Sequence, residues 1–114
     1  MTDLIAFYGS LRRDAGDREA PAKDGLAEYA GACRLRGRIV WPGQYPALVP
    51  GGDGLVEADL YRLISDRALA VFDDWEDYDP ADPLAGPYIR EVVRLADSDR
   101  SAWVYLLNPA AGRP

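Results

Sequence analysis

Short apolar runs alternate along this chain with clusters of glycine, proline and acids, and most of the runs have the two-residue period of strands. Leu4-Ile5-Ala6-Phe7-Tyr8 is closed by Gly9 and reads as a buried strand entering a tight turn. Residues 12 to 23 are polar, with Gly16 and Pro21, and read as a loop. Ala22 to Ala30 is rich in Ala, Leu and Glu and is followed by Gly31, which predicts a short helix. Cys33 to Trp41 alternates as a strand, Pro42-Gly43 turns the chain, and Tyr45 to Val49 is extended. A turn cluster, Pro50-Gly51-Gly52-Asp53-Gly54, precedes a strand over Leu55 to Leu63. In that strand Val56, Ala58, Leu60 and Arg62 share one side, and Leu55, Glu57, Asp59, Tyr61 and Leu63 the other. Neither side is purely apolar, as expected if both meet other structure.

Ser65 suits an N-cap, Asp66 suits the positive end of a helix, and Arg67 to about Trp75 places apolar residues at 68, 69, 71, 72 and 75. Tyr78 to Pro87 holds three prolines and a glycine and predicts a rigid loop. Tyr88 to Leu95 and Ser101 to Leu107 predict a hairpin turning through residues 96 to 100, and the tail after Asn108 is expected to fray. The order of elements suits one α+β domain over residues 1–114, with a mostly antiparallel or barrel-like sheet and helices outside it.

Composition then narrows the chemistry. With 48% hydrophobic residues the chain has enough apolar surface to fold, and no run approaches the roughly 18 apolar residues of a membrane span. A start without a basic n-region and a single cysteine, Cys33, lead to the expectation of a soluble, cytoplasmic protein without disulfides. The sequence contains no histidine, so Ser-His-Asp and Cys-His catalysis are excluded and the commonest metal ligand is missing, and there is no cysteine cluster to bind zinc. Proton transfer would fall to carboxylates, Tyr, Lys or Cys. The net charge of −6 argues against a nucleic-acid surface, and Arg34, Arg36 and Arg38 alternate as a solvated strand side would. Nothing in the sequence fixes the oligomeric state.

Three places could carry chemistry. At about 100° per residue, Leu69 and Glu76 project almost in line, with Phe72 and Trp75 nearby, whereas Asp73 turns further toward solvent and Asp74 points away. A carboxyl so placed, partly desolvated at the negative end of its helix, would hold its proton more tightly and suit acid/base work. On spacing alone the plainer reading, an exposed acid ending a helix, is favoured. In Tyr8-Gly9-Ser10-Leu11, Gly9 lets a ligand approach the backbone, and successive N–H groups could face a carboxylate or oxyanion, although such a tetrapeptide also closes ordinary strands. Tyr88 and Arg90 lie on one side of a strand, offering an aromatic wall and a carboxylate fork, or equally a surface Arg paired with an acid. Cys33 reads as a small buried apolar residue.

Together these pieces resemble the γ-glutamylcyclotransferase-like family, which includes the small AIG2-like proteins. The resemblance runs from Leu4 to about Asn108 through Phe7-Tyr8-Gly9-Ser10-Leu11, Gly37-Arg38-Ile39, Tyr45-Pro46-Ala47-Leu48-Val49, Leu60-Tyr61, Phe72 to Tyr78, Tyr88-Ile89-Arg90 and Ala102-Trp103-Val104-Tyr105. It implies a small closed β-barrel with flanking helices and a cavity at the end of the first strand. It also implies that residues 8 to 11 hold the amino-acid end of a small γ-glutamyl substrate, that Tyr88 and Arg90 line the pocket, and that Glu76 is the acid/base of a cyclisation releasing 5-oxoproline without a cofactor. A binding module that keeps the cavity without turnover is the alternative. Two departures stand out: Asp77 follows Glu76 where the family often has Gly, and Ala58-Asp59-Leu60-Tyr61 replaces the common Gly-Glu-Leu-Tyr.

Overall fold

The computed structural model describes residues 2–8, 25–42 and 46–109. The strands are β1 (Leu4–Phe7), β2 (Ala27–Val40), β3 (Ala47–Leu63), β4 (Tyr88–Arg94) and β5 (Ser101–Leu107), and the helix α1 (Ala68–Trp75) lies between β3 and β4 in the chain. They form a mixed sheet in the order β2-β3-β1-β5-β4. β1 runs antiparallel to β3 and parallel to β5, and β4 pairs antiparallel with β5 from Tyr88–Leu107 to Arg94–Ser101. The sheet curls enough for the start of β3 to meet β5 at Leu48–Leu106. It is not closed, however, so the barrel expected from the resemblance becomes an open curled sheet, and a single helix flanks it among the described residues.

Strand alternation distributes the core over both faces of the sheet. Ala6, Tyr8, Leu35, Leu48, Leu60, Val104 and Leu106 pack on the inside of the curl. The residues between them along the strands, Ile5 and Phe7, Tyr61, and Tyr105, pack on the other face with Ala68 and Phe72 of α1. Within the 55–63 segment both sides are buried from Ala58 to Tyr61, whereas Leu55, Glu57 and Arg62 are exposed. Cys33 is a buried core residue, and Arg34, Arg36 and Arg38 are exposed.

Several boundaries differ from the sequence-based expectation. Ala27 to Ala30 is strand, because these residues pair with β3 from Ala27–Leu63 onward, and that pairing overrides the helix propensity of Ala and Glu. Gly31 lies where the β2–β3 register shifts, with φ 116°, instead of ending a helix. Pro50 to Gly54 does not separate two strands: the register passes from Gly37–Pro50 to Arg36–Leu55 and inserts residues 51–54 as a bulge within β3. At this bulge a Cβ on Gly54 would stand 2.5 Å from the Gly37 carbonyl oxygen, so the close crossing requires glycine. The N-cap of α1 is Arg67, and the Ser65 hydroxyl, two residues earlier, accepts the Arg67 N–H at 3.2 Å. The predicted loop over 12 to 23 falls outside the described residues, as does the chain beyond 109. No helix among the described residues is long and apolar enough to cross a membrane.

Candidate active site

α1 presses Ala68 and Phe72 against the sheet and ends above β5 and the end of β1. Phe72 meets Phe7 edge-on at 5.2 Å between ring centroids, and Trp75 lies against Phe72 at 4.9 Å while remaining 45% exposed. Glu76 is the C-cap. The Tyr78 N–H reaches the Asp73 carbonyl at 2.9 Å and the Asp77 N–H reaches the Asp74 carbonyl at 3.3 Å, which is the paired closure of a Schellman turn. This turn brings the Glu76 side chain inward, where the residue is 9% exposed.

Asp77 occupies the left-handed position of that turn, with φ 55°. A side chain is disfavoured there, which gives a physical reason for glycine at this place in the family the sequence resembles. Asp77→Gly is therefore expected to stabilise the fold by roughly 0.5–1 kcal/mol, seen as a higher urea midpoint at unchanged slope. A lower midpoint would show that the Asp side chain contributes more than the strain costs.

The 78–87 loop is seated on this helix end. A Cβ on Gly86 would collide with the Asp77 carbonyl oxygen. Asn108, fully buried, donates from Nδ2 to the carbonyls of Leu84 at 3.0 Å and Gly86 at 2.7 Å, and from its N–H to Pro87 at 3.0 Å. Asn108 thus holds the proline-rich loop in place.

Beneath Glu76 lies a polar cluster. The Tyr8 hydroxyl donates a short hydrogen bond to the Tyr105 carbonyl and accepts the Leu48 N–H at 2.9 Å. Burial raises the Tyr8 pKa above the ordinary tyrosine value, the Leu48 bond opposes this, and nearby Tyr88 and Glu76 add to it. The Tyr105 hydroxyl donates to Asp73 Oδ1 at 2.8 Å, and its pKa is raised by burial first, then by that bond and the charges of Asp73 and Glu76, against the opposing pull of Arg90. Both hydroxyls therefore remain protonated donors through neutral pH, and the Glu76 carboxylate is within electrostatic reach of each.

Asp73 is buried, contrary to the expectation that it turns to solvent. Its carboxylate takes a bidentate pair from Arg90, Nε to Oδ1 at 2.7 Å and Nη2 to Oδ2 at 3.1 Å. The Arg90 guanidinium also lies 4.5 Å from the Trp103 ring centroid and 5.5 Å from that of Tyr78. The fork anticipated for a substrate carboxylate is thus engaged by Asp73. Tyr88 donates from its hydroxyl to the Pro46 carbonyl at 2.9 Å and lies on the helix-facing side of the sheet.

The fold therefore gathers Glu76, Tyr8, Tyr88 and Arg90 on neighbouring elements; Gly9, Ser10, Leu11 and Tyr45 fall outside the described residues. Sequence reasoning missed Asp73 and Tyr105 as members of this cluster. The available signal was an acid three residues before Glu76 together with an inward Arg90 that needed a counter-charge. A separate groove lined by Arg36, Arg94 and Asp99 shares no residue with the cluster.

The fold is shared with known proteins. Residues 5–114 match the family described as gamma-glutamyl cyclotransferase, AIG2-like. No curated protein sequence matches the chain. Among solved structures, an AIG2-like protein from Mus musculus is similar at 22% identity and TM-score 0.69, over 91% of this chain and 76% of its own. An uncharacterized protein from Pyrococcus horikoshii is similar at 17% identity and TM-score 0.63, over 94% and 79%. A structure described as gamma-glutamyl cyclotransferase is similar at 15% identity and TM-score 0.63, over 91% and 65%.

Proposed function

The chain belongs to the gamma-glutamyl cyclotransferase, AIG2-like family, and from that premise we propose that it cyclises a γ-glutamyl amine or γ-glutamyl amino acid, releasing 5-oxoproline, with Glu76 as acid/base. The observation that carries this reading is the position of Glu76. It is a buried carboxylate at a fixed helix end, and its charge is felt by the hydroxyl of Tyr8, the residue that leads directly into Gly9-Ser10-Leu11.

The chemistry follows from those groups. Residues 8 to 11 hold the amino-acid end of the γ-glutamyl group, and Tyr88 forms a wall. Once the substrate's α-ammonium has given one proton to solvent, its nitrogen attacks the γ-carbonyl, forming the five-membered ring, and Glu76 takes the proton that this nitrogen sheds. Backbone N–H groups of residues 9 to 11 are assigned to the oxyanion that develops. As the original C–N amide bond breaks, Glu76 returns the proton to the departing amine. Nucleophile and carbonyl belong to one molecule, so holding the substrate in the ring-closing conformation supplies much of the rate.

The test is a panel of γ-glutamyl amines and amino acids, with products identified by mass spectrometry and binding followed by thermal shift. At least one member is expected to yield 5-oxoproline. A rise in melting temperature without product would identify a binding module, and release of free glutamate would replace ring closure by attack of water.

A further inference from the structure

We propose that Tyr105 and Asp73, with Arg90 behind them, form a positioning frame that sets the separation between Glu76 and the Tyr8 end of β1. The proposal rests on reading Glu76 as the acid/base. α1 has only eight residues, no basic residue in its last turn and no side-chain bond at its N-cap, so little within the helix itself holds its C-terminal end. Asp73 secures that end from two directions. Its carbonyl accepts the N–H groups of Glu76 at 3.2 Å and Tyr78 at 2.9 Å, which fixes the backbone carrying Glu76. Its carboxylate is held across the gap by Arg90 of β4 and Tyr105 of β5.

Tyr105 completes the frame with its two ends. Its hydroxyl binds Asp73, on the Glu76 side, while its own carbonyl accepts the Tyr8 hydroxyl on the other. Tyr8 in turn accepts the N–H of Leu48 at 2.9 Å. A continuous set of hydrogen bonds therefore links Arg90, Asp73, Tyr105, Tyr8 and Leu48, joining α1 to four strands: β4, β5, β3 and the end of β1. Asp73 and Arg90 have side-chain exposures of 6% and 12%, so their pairing is little screened by water. Acid/base transfer in both directions requires Glu76 to reach the attacking nitrogen and then the leaving one, and a displacement of about 1 Å can cost on the order of 100-fold in rate. On this view Arg90 acts through Asp73, as a positioning residue that does not touch the substrate.

The frame is tested with Tyr105→Phe, which removes one hydroxyl and keeps the ring, and with Asp73→Asn, alone and combined. Each single variant is expected to lower kcat for 5-oxoproline release by about 10- to 100-fold while KM changes less than about threefold. The double variant should be little worse than Asp73→Asn alone, because both remove the same contact. Amide hydrogen exchange supplies a readout independent of turnover: protection of the Glu76 and Tyr78 N–H groups should fall in both variants while that of β3 and β5 is retained. Unchanged protection at those two amides overturns the frame, whether or not the protein is active. So do kcat values within threefold of wild type, fully multiplying losses, or a rise in KM at constant kcat, which would return Asp73 and Arg90 to substrate binding. If the wild type releases no 5-oxoproline from any γ-glutamyl compound, the functional reading fails and the exchange result alone decides the frame.

Discussion

Glu76→Gln should reduce 5-oxoproline release by about 10²- to 10⁴-fold, the range that a positioned general acid/base contributes. At about 1.4 kcal/mol per factor of ten, this corresponds to a barrier higher by roughly 3–5.5 kcal/mol. The amide matches the carboxylate in size and keeps an oxygen for hydrogen bonding, but it cannot accept the proton that the attacking nitrogen sheds at neutral pH. Backbone bonds from the C-cap N–H to Phe72 and Asp73, at 3.1 and 3.2 Å, do not depend on the side chain and should survive. The variant is therefore expected to fold, with KM moving less than kcat. A rate within threefold of wild type in a correctly folded variant would remove Glu76 from the chemistry and the proposed mechanism with it.

Phe72→Ala is expected to have the largest effect on stability, about 3–5 kcal/mol, because a fully buried ring is lost at the contact between helix and sheet. Phe7 would lose its edge-on partner at 5.2 Å and Trp75 its neighbour at 4.9 Å, and backbone relaxation cannot fill a space of that size. A domain of this size has about 5–15 kcal/mol in total, so roughly a fifth of its stability or more would disappear. Chemical denaturation gives the value directly. A cost below about 1 kcal/mol would mean that α1 is held mainly by the polar contacts at its C-terminal end, not by its apolar face. The functional consequence follows from chain order: Glu76 directly succeeds this helix, so loosened packing displaces the carboxylate even where the sheet survives.

Much of the fold can be read from local pattern, and the exceptions share one cause. The apolar run of β1 and the pattern of β5 specify buried residues, and the structure buries most of them; in α1 Ala68 and Phe72 are buried while Trp75 is 45% exposed, and β4 is at most partly buried. Glu76 is buried, whereas spacing alone favours an exposed acid at the helix end. Ala27 to Ala30 defeats the same approach because its conformation is chosen by a partner strand more than 30 positions away in sequence, at Tyr61 to Leu63. Asp73 defeats it too. Helical spacing turns this residue toward water, but Arg90 and Tyr105 arrive from the hairpin and make burial of its charge tolerable. Asn108 has no local signature, since its meaning lies in carbonyls that face it from residues 84 and 86. The open edge of the sheet was likewise invisible, because curvature depends on the bulge at residues 51–54 and on how far β3 reaches toward β5.

Two tyrosines of the cluster are fastened to peptide oxygens: Tyr8 to that of Tyr105 and Tyr88 to that of Pro46. Every amino acid brings such an oxygen, so mutation at an accepting position cannot erase the anchor as long as the local main-chain path is kept. Residues around the cluster can consequently vary while these two tyrosines keep their anchors.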